Sequence, residues 1–305
     1  MTLALLFSGQ GSQHPGMLPW LEADTAAAPA LARLAAEIGG DWRHRLQDAR
    51  WASENRVAQL LLTGSGLAAW SCLAALLPRP AVIAGYSVGE LAAFCAAEVF
   101  DSTSALALAR DRALAMDAAV AGVDTGLLAV QGPAPAGAID AQCRRHGLAL
   151  AIQMSADRVL LGGLDADLQR AETELTALGL RCTRLAVKLA SHTPWMQAAA
   201  RAFALRCADL PMRLPSAPLV CNLDASTPRT PLALRQALAG QIDHPVRWDL
   251  CMAMVAERGP RCVLEIGPGN ALAKLWNECH PDVPARSADE FKSAAGVAHW
   301  VSAQL

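Results

Sequence analysis

At 305 residues, 53% of them hydrophobic and 18% charged, the chain exceeds one simple domain and can bury a large core, so a large domain carrying a smaller one is expected. Its formal net charge of −2, with no block of like charges, excludes the basic footprint of a nucleic-acid binder. No apolar stretch reaches the ~20 residues of a membrane span, and the start Met1-Thr2-Leu3 lacks the basic region of a secretory signal, so the reading is a cytoplasmic protein with neither nucleic acid nor membrane as partner.

Leu3 to Phe7 is the first predicted strand, and it runs into the glycine turn Gly9-Gln10-Gly11-Ser12-Gln13. Ala81 to Gly85 repeats the format and opens through Tyr86-Ser87-Val88-Gly89-Glu90 into a helix that reaches Val99. Asp101 then caps a helical pattern over Ser102 to Met116. Between 122 and 189 the texture changes. Gly126 to Val130, Val159 to Gly163 and the alternating Arg181 to Val187 read as strands, with helices over Ala136 to His146 and Leu168 to Leu178. Val263 to Ile266, followed by Gly267-Pro268-Gly269 and a helical stretch, returns to the first format. Such alternation implies a mainly parallel sheet covered on both faces, with ligands beyond the carboxyl ends of its strands. The expected architecture is therefore α/β. A large α/β-hydrolase-like domain takes residues 1–121 and 190–305, and a small ferredoxin-like domain inserted at 122–189 forms one wall of a cleft.

Gly85-x-Ser87-x-Gly89 after an apolar strand and before a helix reads either as a plain tight turn or as a nucleophile elbow. In an elbow the crowded backbone needs small residues around the serine, and the N–H of Val88 faces the space where an oxyanion would form. The Gly9 to Gln13 turn lacks the Gly-Lys-Ser/Thr ending of a phosphate loop and the third glycine of a dinucleotide fingerprint. Its expected contribution is a second oxyanion donor, the N–H of Gln10. Two histidines compete as proton acceptor: His192, in the polar turn Ala190-Ser191-His192-Thr193-Pro194, and His14, just after the first glycine turn. Chain order does not decide between them. Arg112 reads either as a solvated arginine or as a guanidinium fork for a substrate carboxylate. Nine cysteines stand singly, without a Cys-x-x-Cys pair, so they read as reduced core residues and no metal site is expected.

Five landmarks in order make the chain resemble the malonyl-CoA:acyl carrier protein transacylase family over roughly residues 3 to 280. They are the Gly9 to Gln13 turn, Gly85-x-Ser87-x-Gly89-Glu90, Arg112 four residues before Met116, Ser191-His192, and Gln241 ahead of Pro245-Val246-x-Trp248 and Glu265-x-Gly267-Pro268-Gly269. The resemblance implies Ser87 as nucleophile, His192 as its base, Gln241 as the group that orients His192, and the N–H groups of Gln10 and Val88 as the oxyanion hole. Arg112 would hold the free carboxylate of a malonyl group. Malonyl-CoA is then the substrate, no cofactor is bound, and the acceptor is the phosphopantetheine-type thiol of an acyl carrier protein.

Two positions depart from the usual family pattern: Tyr86 stands where fatty-acid-synthesis members have His, and Met154 stands near an Asn that the family often carries, with Gln153 as a substitute polar contact. The elbow, the run Leu160-Leu161-Gly162-Gly163, Ala190 to Pro194 and the ending Ala285 to Phe291 look most like the malonate decarboxylase branch, its epsilon subunit. That branch loads a small carrier subunit whose prosthetic group derives from dephospho-CoA, so other decarboxylase subunits join the expected partners. The alternatives are a fatty-acid-synthesis transacylase, an α/β-hydrolase esterase with an acid between nucleophile and His, and a non-catalytic binding subunit. Arg43, Arg45 and Lys188 read as solvated surface charge or as contacts for an acidic carrier.

Overall fold

Leu3–Phe7 (β1) is five consecutive apolar residues, all buried, the signature of a strand covered on both faces in the middle of a parallel sheet. The computed structural model describes residues 2–305; Met1, where the expected large domain begins, lies outside them. The other strands, in chain order, are Val82–Gly85 (β2), Thr125–Gln131 (β3), Ala149–Ser155 (β4), Arg158–Leu164 (β5), Arg181–Arg184 (β6), Leu219–Val220 (β7), Val246–Arg247 (β8), Cys262–Ile266 (β9) and Ala285–Ser287 (β10).

One sheet has the order β10-β9-β1-β2-β7 and is parallel throughout. Its side chains alternate between two cores. Leu3, Leu5 and Phe7 face the helices Asn55–Leu73 and Gly89–Ala96, whereas Ala4 and Leu6 face the helices Trp248–Ala256 and Ala271–Cys279 and the second sheet. Register places three glycine turns together. Phe7 lies opposite Gly85 and opposite Ile266, so the turns after β1, β2 and β9 leave the sheet side by side.

The second sheet has the order β6-β3-β5-β4-β8. Its first four members pair antiparallel, and with the helices Ala138–His146 and Asp165–Ala177 they make the βαββαβ arrangement of a ferredoxin-like unit. The fifth strand, β8, pairs parallel to β4, with Ile152 opposite Val246, although it belongs to a segment about 90 residues further along the chain. Sequence patterning finds three strands in this region and misses β4. Register shifts between Leu150 and Ile152 and between Gln153 and Ser155 break its two-residue period, and the Leu-Ala-Leu-Ala run suits a helix as well as a strand. The strand expected to reach Val187 stops at Arg184. Among the described residues no helix is long and apolar enough to cross a membrane, and no group of three or more His, Cys, Asp or Glu side chains is arranged to hold a metal ion.

Candidate active site

The turn after β2 is an elbow that only glycine can flank. A Cβ on Gly85 would sit 2.3 Å from the main-chain carbon and oxygen of Gly89, and one on Gly89 would sit 2.4 Å from the oxygen of Phe7. Between them Ser87 adopts a left-handed backbone with φ +54°, a conformation that costs a non-glycine residue about 1–2 kcal/mol. Asn222, fully buried just beyond β7, holds it there. Its Oδ1 accepts from Ser87 N–H at 2.7 Å, and its Nδ2 donates to Gly85 O at 2.6 Å. The N–H of Asn222 in turn donates to the buried carboxyl of Glu90, which burial pushes up to about 8 against the lowering effect of that hydrogen bond. Sequence reasoning missed Asn222, which lies 135 residues from the serine it braces and carries no local signal beyond following a short strand.

His192 also has a left-handed backbone, φ +62°, and its ring meets Ser87 across 105 residues of sequence, with Nε2 at 2.7 Å from Oγ. The far nitrogen, Nδ1, lies 2.5 Å from the main-chain oxygen of Gln241. A carbonyl oxygen only accepts, so Nδ1 carries the proton and Nε2 turns its lone pair toward the serine. Burial first, and the Arg112 charge second, lower the imidazole to about 3, opposed by the bond to Gln241. A neutral imidazole so placed can take the hydroxyl proton while the oxygen attacks an acyl carbon.

Gln241 thus reaches His192 through its backbone. Its side chain lies elsewhere, with Nε2 at 3.5 Å from Ser87 O and the buried Oε1 without a partner. At the position where an α/β-hydrolase esterase would set a carboxylate, this chain presents a carbonyl. His14 stands outside the site, 44% exposed and 2.7 Å from Asp289 Oδ2. Asp289 also accepts from the N–H groups of Leu18 and Gly269, so the ending Ala285 to Phe291 joins the segment around Leu18 to the turn after β9.

That first turn lies directly on the elbow: a Cβ on Gly9 would be 2.5 Å from Tyr86 O. It is braced by Ser12 Oγ on Gly9 O at 2.7 Å and by Gln13, whose Nε2 donates to Ala52 O at 2.9 Å. Val88 forms the N-cap of the helix Gly89–Ala96, at the positive end of its dipole. Gln10 thus follows a residue packed on the elbow and Val88 adjoins the serine, so the two N–H groups expected of an oxyanion hole belong to two neighbouring loops.

Arg112 lies on the helix Ser102–Ala119, whose start is capped by Asp101 accepting from Ser104 N–H at 2.7 Å. Its guanidinium is buried and its polar partners are two neutral oxygens, Gln59 Oε1 at 2.8 Å from Nη1 and Ser87 Oγ at 3.5 Å from Nη2; Nε has none. Burial lowers it to about 10, with Glu90 opposing, so the group stays cationic at neutral pH. A cleft of about 570 Å³ opens between the turn after β1 and strands β3 and β6, with Tyr86 on its wall. Ser87, the residue after Tyr86, is 9% exposed and, like His192 and Arg112, does not itself line that cleft. The Tyr86 ring stands edge-on to Trp248, 5.2 Å between centroids, and its hydroxyl is 3.9 Å from Met154 Sδ. Gln153 turns to the oxygen of Ser155 instead of standing in for an Asn.

The chain matches the acyl transferase domain over residues 4–301. It is 32% identical over 290 residues to the malonyl CoA-acyl carrier protein transacylase of Mycobacterium tuberculosis, covering 93% of this chain and 95% of that one. The crystal structure of the malonyl-CoA:acyl carrier protein transacylase of Xanthomonas oryzae superposes with a TM-score of 0.89 at 31% identity, covering 99% of each chain. A malonyl-transacylase in complex with its type II PKS acyl-carrier protein superposes with a TM-score of 0.90 at 27% identity, covering 98% of this chain and 99% of that one. With a strained serine elbow, a facing imidazole and a match across nearly its whole length, this chain belongs to the acyl transferase domain family.

Proposed function

We propose that the protein is an acyl-carrier-protein S-malonyltransferase that carries malonyl on Ser87. The observation that carries the malonyl assignment is Arg112, a buried cation with an unpartnered Nε beside the serine hydroxyl. A buried charge this poorly compensated is costly unless a ligand of opposite charge completes it, and the free carboxylate of malonyl is such a ligand.

Ser87 Oγ attacks the thioester carbonyl of malonyl-CoA and gives its proton to His192 Nε2. The tetrahedral oxyanion rests on the N–H groups of Gln10 and Val88. The C–S bond breaks, CoA leaves with the proton from His192, and malonyl-Ser87 remains. The carrier thiol then gives its proton to His192 and attacks the ester carbonyl; the C–Oγ bond breaks, His192 returns the proton to Ser87 Oγ, and the new thioester departs. The Gln241 carbonyl keeps the imidazole in the required tautomer throughout. Serine, imidazole, main-chain N–H groups and the acceptor thiol account for every proton moved in this sequence, and no cofactor enters it.

The acceptor we propose is the carrier subunit of malonate decarboxylase, with its dephospho-CoA-derived thiol, which makes other decarboxylase subunits further partners. Tyr86 at the elbow and the ending Ala285 to Phe291 support it; the names of the relatives favour the acyl carrier protein of fatty-acid synthesis instead. Offering both holo-carriers to the malonyl-enzyme in one reaction tests this, with faster loading of the decarboxylase carrier expected and faster loading of the fatty-acid carrier overturning it. Nine free thiols fit a reducing compartment, the cytoplasm. The division into residues 1–121 with 190–305 and an insert at 122–189 is supported by strand membership, with β8 lending the insert its fifth strand.

The histidine makes a pH prediction. Its basic form persists as pH falls until the lowered value near 3 is reached, so the profile of kcat/KM has no acid limb at 6.5, the value of an unperturbed imidazole. A malonyl carboxylate on Arg112 cancels part of the cationic repulsion and raises His192. The acid limb of kcat therefore lies at higher pH than that of kcat/KM. pH–rate profiles with malonyl-CoA check both statements, and a limb at 6.5 in kcat/KM contradicts the first.

A further inference from the structure

Arg112 hydrogen-bonds to no carboxylate directly; two amides link it to one. Gln59 and Asn55 stand four residues apart on the helix Asn55–Leu73, and Arg112 and Met116 stand four apart on the helix packed beside it. Arg112 Nη1 donates to Gln59 Oε1 at 2.8 Å, Gln59 Nε2 donates to Asn55 Oδ1 at 2.8 Å, and Asn55 Nδ2 donates to Asp117 Oδ1 at 2.9 Å. Gln59 Nε2 also faces Met116 Sδ at 3.4 Å, and Asn55 Nδ2 faces Ala113 O at 3.3 Å. The chemistry of the ends fixes every amide in the chain. A guanidinium only donates and a carboxylate only accepts, so neither Gln59 nor Asn55 can flip without setting like against like. All three hydrogen bonds point the same way, from the buried cation to an exposed acid, and bonds aligned in this manner polarise one another.

We propose that Gln59 is a specificity-determining positioning residue: it holds the Arg112 guanidinium by a neutral acceptor, leaving the positive charge and the Nε–H edge uncommitted for an acyl group with a free carboxylate. A Glu or Asp at this position would orient the arginine equally well but neutralise it. A residue without an acceptor would leave the fork free to turn away from Ser87. The neutral amide does one task without the other: the acid at the far end of the chain, Asp117, is kept at the surface, and the buried carboxyl that acts on Arg112, Glu90, is itself pushed up to about 8. Gln59 itself is fully buried and does not touch Ser87 or His192 among its hydrogen bonds, so its effect runs through Arg112.

This inference rests on the malonyl reading, and the experiment separates the two. Rates of acyl-enzyme formation are measured by quenched intact-protein mass with malonyl-CoA and with acetyl-CoA, for wild type and Gln59→Glu. Wild type is expected to prefer malonyl, and Gln59→Glu to lower the malonyl-to-acetyl ratio by ~100-fold, the weight of one buried charge-assisted interaction. A merely structural role would slow both thioesters together and leave the ratio unchanged, which overturns the proposal while the malonyl reading stands. Equal labelling by both thioesters in wild type removes the malonyl reading and the proposal with it. Should Gln59→Glu fail to fold, Gln59→Met, of similar length and without the acceptor, must lower the same ratio through a raised KM for malonyl-CoA; an unchanged ratio there overturns the proposal equally.

Discussion

Ser87→Ala is expected to yield a folded protein that gains no mass from malonyl-CoA and loads a carrier at least ~10⁴-fold more slowly than wild type. The size follows from the geometry. Ser87 Oγ is the hydroxyl facing His192 Nε2, and the left-handed backbone that presents it leaves no neighbouring nucleophile in its place. Alanine carries a similar cost at φ +54° and keeps the N–H on Asn222 Oδ1, so elbow and fold persist and the loss is chemical. Intact mass after brief mixing with malonyl-CoA, together with a melting curve, measures both halves. A malonyl adduct on Ser87→Ala, or transfer within tenfold of wild type, would remove Ser87 from the mechanism.

Arg112→Met is expected to divide function from stability. Losing a carboxylate–guanidinium contact in a buried site costs about 2–5 kcal/mol, so the rate of malonyl labelling should fall by ~10²- to 10³-fold while the acetyl rate holds or rises. The melting temperature should hold or rise as well. Methionine removes a buried cation whose desolvation is worth several kcal/mol, against about 1–3 kcal/mol for leaving Gln59 Oε1 without its donor. Arg112→Lys should recover only part of the malonyl rate, since an ammonium cannot present two parallel donors. If Arg112→Met labels with malonyl as fast as wild type, the carboxylate clamp is wrong, and with it the substrate.

How far the sequence carries this picture depends on whether the causes are local. The elbow is legible because an apolar strand, two glycines and a helix start are consecutive, and the contacts that would clash with a Cβ at Gly85 come from Gly89 and Glu90 nearby. The helix bearing Arg112 is legible from its Asp101 cap and apolar spacing. What decides between His192 and His14 is not local: one ring closes on Ser87 over 105 residues, the other on Asp289 over 275. The same distance hides Asn222, Gln59 and the backbone role of Gln241, because a partner chosen by tertiary packing leaves no periodicity. Strand β4 escaped for another reason, since its register shifts erase the alternation by which a strand is recognised.

The placement of β1 has a consequence for how the enzyme comes into being. This strand is synthesised before either of its neighbours, yet it is the middle of the sheet, flanked by β2 and by β9, whose residues 262–266 lie far downstream. The segment that follows the Gln10 turn is fastened later still, when Asp289 accepts from the N–H of Leu18. A nascent chain that already holds Ser87, His192 and Arg112 thus has one edge of β1 bare and the segment around Leu18 untied. Pairings of such sequence separation form slowly, so the chain must be made through β9 and Asp289 before the serine gains its setting, and a chain that stops short of them is a sticky edge rather than a half-active transferase.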